Sequence, residues 1–248
     1  MIRSIDQAPS AGPFAFPGLV FDDAPTDGEA LMARDATRLA QADEAPSLLW
    51  FTWDRPTITV GRLQDPGRAL DLARCALDAV PVVRRPTGGR AVFHVDEWTY
   101  GAVVPLRHAA LGGRLADSCR ALVALVEAAL SEAYGLVFDP AAAAAPDGPP
   151  AACFGRSFGY EAVVDGRKLM GSAQRRTGSA LLQQGSLLVG PGHERLGDYL
   201  AEGDGSGRLA GAAVTLTELL GGRPDPAPFR AALGRAWAAA TAGGARPS

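Results

Sequence analysis

Wherever a positive charge alone would serve, this chain uses arginine; lysine occurs once, at position 168, among 24 basic residues. An ammonium is compact and can give up its proton when desolvated, which a guanidinium does not do. Lys168 opens the run Lys168-Leu169-Met170-Gly171-Ser172-Ala173-Gln174. The small residues Gly171, Ser172 and Ala173 leave room beside the cation for a substrate chain. The alternative is a surface lysine with no task. Cys153 follows the low-complexity stretch Asp139–Pro150 and lies close in sequence to Lys168. A thiolate attacks an acyl thioester far better than a thiol does, and a neighbouring ammonium stabilises it. Cys75 and Cys119 fall on apolar helix faces and read as core fillers. A third segment, Arg84-Arg85-Pro86-Thr87-Gly88-Gly89-Arg90-Ala91-Val92-Phe93-His94, sets paired glycines between a basic pair and a strand. Such glycines let backbone N–H groups approach a ligand, although an ordinary hairpin with surface arginines has the same composition.

The elements that position these residues follow from periodicity. Asp27 to Gln41 predicts a helix with Leu31, Met32, Ala36 and Leu39 at helical spacing, and Leu48–Trp53 and Thr57–Val60 predict short strands. Arg68–Asp78 reads as one helix, Pro81–Arg85 and Arg90–Val104 as strands, and Arg114–Tyr134 as the longest helix, with Leu115, Cys119, Leu122, Val126 and Leu130 on one face. Three more strands are expected at Phe158–Val164, Lys168–Arg175 and Ala180–Val189, with Asp165-Gly166 as a tight primed hairpin turn. Helical structure is expected from Glu194 onward, with Thr215 capping a short helix and Phe229–Ala240 forming the last. The order is mixed rather than alternating, which predicts an α+β fold with a mixed or antiparallel sheet flanked by helices. One domain over 1–248 is expected, with its core at about 27–220 and a C-terminal helix at about 226–242.

Composition narrows the functional classes. A formal net charge of −3 argues against a broad nucleic-acid footprint. No apolar run is long enough for a membrane span, and the proline-broken N-terminus does not read as a signal peptide. Three cysteines suit a reducing compartment, so a soluble cytoplasmic protein is expected. There is no P-loop pattern, Gly205-Ser206-Gly207 lacks the spacing of a dinucleotide fingerprint, and no nucleophile elbow is present. His94, His108 and His193 are too scattered among the cysteines to suggest a zinc site.

Taken together, RRPTGGRAVFH, DEWTY, GRKLMGSAQRR, QQGSLLV and the late TLTELLG resemble the lipoate/biotin protein ligase superfamily over roughly Asp27–Leu220. The nearest branch is that of the octanoyl-acyl-carrier-protein:protein octanoyltransferases. The resemblance implies that Arg84, Arg85, Thr87, Gly88, Gly89 and Arg90 line the acyl pocket, with His94 closing that motif and Gln64 facing the same site. It implies that Gly171, Ser172 and Ala173 bind substrate, that Lys168 contacts the acyl carbonyl, and that Cys153 is the acyl-thioester nucleophile. Gly-Gly-Arg replaces the three glycines usual in the ligases. Gln184 stands before Gly185 where a histidine is common, which leaves that histidine's duty open here.

The expected reaction is transfer of octanoate from octanoyl-acyl carrier protein, through Cys153, to a lysine of a lipoyl-domain protein such as the glycine cleavage H protein or a dehydrogenase E2. No cofactor is expected; ATP and Mg would be needed only by an ATP-dependent lipoate ligase. That alternative, an amidotransferase between lipoyl domains and a non-catalytic acyl-carrier binder are the rival readings. About thirty residues follow TLTELLG, too few for an accessory ligase domain, which favours the transferase.

Overall fold

The computed structural model describes residues 18–42, 45–140, 161–201 and 211–242. Along the chain come β1 (Leu19–Thr26), α1 (Gly28–Ala40), β2 (Ser47–Trp53), β3 (Thr57–Val60), the short helices α2 (Pro66–Ala69) and α3 (Leu72–Leu77), β4 (Val82–Arg84), β5 (Val92–His94) and β6 (Glu97–Pro105). Then follow α4 (Leu115–Tyr134), β7 (Ala162–Val164), β8 (Arg167–Arg176), β9 (Ala180–Leu188), a 3-10 helix (His193–Tyr199), α5 (Leu216–Leu220) and α6 (Pro226–Thr241). A six-stranded sheet has the order β1-β2-β6-β9-β8-β7, and a three-stranded sheet has the order β4-β3-β5. The α+β expectation is met. The large sheet is mixed, since β1 runs parallel to β2 while the other neighbours are antiparallel.

The period of two in β6 and β9 divides the large sheet into two chemically different faces. Tyr100, Ala102 and Val104 of β6, with Leu181 and Leu187 of β9, join the main core with α4 and α6, where Val126, Leu130, Phe229 and Trp237 are buried. On the opposite face Val103 and Leu182 meet Leu39 of α1, and Leu31 and Met32 of α1 pack with Leu49, Phe51 and Val83. All nine residues of β9 are buried, as expected of a central strand covered on both sides.

Local chemistry explains the element ends. The Asp27 carboxylate accepts from the N–H groups of Glu29 (2.9 Å) and Ala30 (3.3 Å), which starts α1. Asp165 and Gly166 sit at φ 50° and 73°, the primed turn their types predict. Thr215 Oγ1 accepts from Glu218 N at 3.2 Å and starts α5.

Some expectations need correction. Arg68–Asp78 is not one helix. The chain is extended at Leu70, which bridges to Leu200, and Asp71 caps a new helix by accepting from Arg74 N. Arg90–Val104 is not one strand: Asp96, at φ 44°, turns the chain so that β5 belongs to the small sheet and β6 to the large one. Leu115 is 51% exposed rather than on the buried face of α4. Strand β1 was not expected, because its sequence LVFDDAPT carries only a brief apolar run before two aspartates. The Phe158–Val164 strand is described only from Ala162.

A methyl group at Gly101 would lie 2.5 Å from both Asp35 carboxylate oxygens. Gly101→Ala is expected to cost about 2 kcal/mol through overpacking. Urea unfolding would show this as a lowered midpoint, and an unchanged midpoint would refute the close seating of α1 on β6.

Candidate active site

A cavity lies between the two sheets. The large sheet contributes Trp53 and Thr99, then Gly171, Ser172 and Ala173 of β8 and Gln184, Gly185 and Ser186 of β9. The small sheet and its loop contribute Thr59, Val92, His94 and Arg85, and α1 contributes Met32. Strand pairing stacks these residues in rows, with Gly171 opposite Ser186 and Ala173 opposite Gln184. Small residues on β8 and β9 hollow the floor; a side chain at Gly185 would point the other way, into the Tyr100 ring of the main core at 2.2 Å.

Many of the lining residues are polar, yet their polar atoms turn away from the cavity toward one another. Glu97 Oε1 accepts from His94 Nδ1 (2.7 Å), Ser186 Oγ (2.9 Å) and the Thr99 hydroxyl. A carboxylate only accepts, so this contact assigns the His94 proton to Nδ1 and leaves Nε2 to accept from Thr59 Oγ1 at 2.7 Å. Thr59 Oγ1 in turn accepts from Arg85 Nη1 at 3.1 Å. Trp53 stacks on the His94 ring, with centroids 4.1 Å apart and planes 16° from parallel, and donates its indole N–H to Thr99 Oγ1 at 2.7 Å. The imidazole is thus held at both nitrogens and across one face.

Gln184 belongs to a second chain of hydrogen bonds. Thr87 Oγ1 donates to its Oε1 at 2.7 Å, and its Nε2 donates to Asp35 Oδ2 at 2.8 Å. Arg38 donates to Asp35 (3.0 Å), the Gly101 carbonyl (2.9 Å) and Ser47. Asp35 is fully buried. Burial raises its carboxyl above the ordinary value, against the opposing pull of Arg38 and of the Gln184 hydrogen bond. Where the resemblance left a histidine's role open, Gln184 serves as a donor–acceptor link between the PTGG loop and α1.

The two arginines of the basic pair do different work. Arg85 is buried and donates to the carbonyls of Gly88, Thr59 and Arg90, so it shapes the loop as well as lining the cavity. Arg84 is exposed and its Nη1 holds the carbonyls of Gly61, Arg62 and Gln64. Gln64 turns its own Oε1 back to Gly61 N at 3.3 Å and does not line the cavity. Gly89, at φ 90°, brings its carbonyl so near Gly61 that a Cβ there would lie 2.0 Å from the oxygen. Gly88, Gly89 and Arg90 do not line the cavity themselves; the Gly88 and Arg90 carbonyls accept from Arg85, which does.

Lys168 is buried in β8 and pairs through Nζ with Glu161 Oε1, both side chains being 4% exposed. It lies three residues before Gly171, about 10 Å along an extended strand, and does not itself line the cavity. Cys153, with Phe158 and Tyr160, lies outside the described residues. Cys75 and Cys119 are buried core residues, and burial pushes both thiols up, away from the reactive thiolate.

Sequence reasoning did not single out Glu97, Thr99, Ser186, Thr59, Trp53 or Asp35. Asp35 carried a signal. It falls on the α1 face shared by Gly28, Leu31, Met32 and Leu39, and an acid on an apolar stripe points to a buried partner.

Residues 27–237 match the model of the lipoyl protein ligase A/B catalytic domain. A protein of Carboxydothermus hydrogenoformans named octanoyltransferase LipM is 37% identical over 161 residues, covering 64% of this chain and 60% of that protein. The chain thus aligns with less than two thirds of that relative's length. A protein of the same name from an Exiguobacterium species is 33% identical over 211 residues, covering 79% of this chain and 75% of its own. Among solved structures, a bi-partite lipoate protein ligase with its E2 lipoyl domain from Thermoplasma acidophilum has a TM-score of 0.65 at 16% identity, over 92% of this chain and 85% of that one. That likeness shows a shared fold. Among the described residues no helix is long and apolar enough to cross a membrane.

The raised Asp35 carboxyl has a consequence for stability. A carboxyl that binds its proton more tightly folded than unfolded favours the fold below its folded value and loses that contribution as pH rises from the unfolded value of about 3.9 upward. Denaturation of wild type and Asp35→Asn from pH 4 to pH 7 is expected to show the wild type's stability, relative to the variant, falling as pH rises. A difference growing with pH would mean that the Arg38 pair outweighs burial.

Proposed function

The chain belongs to the lipoyl protein ligase A/B catalytic-domain family, and on that premise we propose that it is an octanoyltransferase of protein lipoylation. It would take octanoate from octanoyl-acyl carrier protein and pass it, through a thioester on Cys153, to a lysine of a lipoyl-domain protein. The observation that carries this reading is the inter-sheet cavity, whose polar lining residues are bonded to one another and leave an apolar surface beside the strand of Lys168. The shared name of these two relatives, octanoyltransferase, supports the octanoyl-transfer part of this reading.

In the proposed first half-reaction, Cys153 Sγ attacks the donor's carbonyl carbon, the carbon–sulfur bond to the pantetheine breaks, and the departing sulfur takes up the cysteine's proton. The Lys168 ammonium, held by Glu161, stabilises the oxyanion that forms on the way. In the second, the acceptor amine attacks the enzyme thioester, the amide forms, and the amine's proton goes to the Cys153 sulfur, with Lys168 assisting the transfer. An amide is more stable than the thioester consumed, so neither ATP nor a metal is required. The setting would be the cytoplasm.

The test is intact-protein mass spectrometry after mixing the protein with octanoyl carrier protein without ATP. An octanoyl adduct is expected, lost in Cys153→Ser and retained in Cys75→Ala and Cys119→Ala. Activity that appears only with free octanoate and ATP would make the protein a ligase instead. Lys168→Arg keeps the charge but not the shape or the exchangeable proton, and transfer is expected to fall at least tenfold. Near-normal turnover in that variant would remove the lysine from the mechanism.

A further inference from the structure

We propose that Glu97 is a specificity-determining positioning residue: it keeps the cavity apolar by drawing three lining donors away from the acyl chain. The proposal rests on the octanoyltransferase reading for its substrate, but its physical basis stands on the wall itself. His94, Thr99 and Ser186 line the cavity, whereas Glu97 does not. All three donate to one atom, Glu97 Oε1. The other carboxylate oxygen, Oε2, is buried and has no hydrogen-bond partner among the described residues.

Each of these donors has an alternative. A hydroxyl on Thr99 or Ser186 turns about a single bond, and without an acceptor behind the wall its O–H would point into the cavity. Buried polar groups left without partners are costly to bring against hydrocarbon. An acceptor placed behind three donors therefore selects alkyl chains and rejects chains carrying a hydroxyl, which would find nothing to bond. His94 is held by the same atom, and its ring carbons and the Trp53 stack face the chain instead of an N–H. Because Oε1 alone receives the three bonds, the acceptor oxygen rather than the negative charge carries the effect. A glutamine with its carbonyl at that position would serve equally well.

The experiment compares kcat/KM for octanoyl carrier protein with that for carriers bearing octanoate hydroxylated at carbon 6 or carbon 8. Wild type is expected to prefer the plain chain by about 100-fold, the scale at which an apolar pocket rejects an added hydroxyl. Glu97→Met, which fills similar space without an acceptor, is expected to reduce that preference at least tenfold. Glu97→Gln is expected to keep it, and adding Thr99→Val and Ser186→Ala to Glu97→Met is expected to restore most of it, the His94 Nδ1–H alone being left without its acceptor. An unchanged ratio in folded Glu97→Met would overturn the proposal, as would an equal loss in Glu97→Gln and Glu97→Met. If the wild type transferred no octanoate at all, the functional reading would fall. The same ratios, measured by calorimetry with free octanoate and its hydroxy acids, would then still decide the role of Glu97.

Discussion

Everything at the centre of this molecule depends on finding partners for polar groups that two sheets enclose. A cavity between sheets is lined by whatever the strands present there, and here that includes a threonine and a histidine from one sheet and a threonine, a serine and a glutamine from the other. Left to themselves, such groups would hold water. Two buried acids, Glu97 at the end of β6 and Asp35 on α1, instead receive their hydrogen bonds from behind. The networks also join the layers: Thr59 to His94 to Glu97 crosses from the small sheet to the large one, and Thr87 to Gln184 to Asp35 ties loop, sheet and helix. Buried polar networks of this kind rigidify a site when every bond is made.

Glycines are placed where these networks need close approach. At Gly101 a side chain would displace Asp35, at Gly185 it would push out Tyr100, and at Gly61 it would collide with the carbonyl of Gly89. Gly101 lies where α1 meets the sheet, Gly185 opposite Tyr100 on the neighbouring strand, and Gly61 beside the PTGG loop. The PTGG loop likewise owes its shape to Arg85 and Arg84, whose guanidinium groups satisfy backbone carbonyls on both sides of it. Basic residues that read as ligand contacts in the sequence spend much of their donor capacity on the protein itself.

Legibility in the sequence followed the range of the interactions involved. The α1 helix, strands β2, β3, β8 and β9, the Asp165-Gly166 turn and the Thr215 cap are local, and periodicity or turn chemistry disclosed them. The break at Leu70 depends on a bridge to Leu200, and the turn at Asp96 on main-chain bonds to Val189 and Gly190, so neither could be read from nearby residues. The same holds at the site. His94, Arg85 and the Gly171–Ala173 run stood out through resemblance and do line the cavity, whereas the links of Glu97 to Ser186 and of Asp35 to Gln184 span 89 and 149 residues. Gln64 is the converse case, a residue marked by motif whose side chain caps its own turn.

Strand β9 lies in the middle of the large sheet, between β6 and β8, although it is the last strand in sequence among the described residues. During synthesis, β6 must wait with an unpaired edge while the whole of α4 and the next hairpin strands are made. The cavity floor, both acid networks and the central sheet pairing are then completed in one late event, when residues 180–188 insert. A chain truncated before that point has α1 to α4 and its basic loop, but a large sheet divided in two and no C-terminal helices to close the core. Residues 180–188 therefore join the two halves of the sheet and supply part of the pocket floor with the same strand.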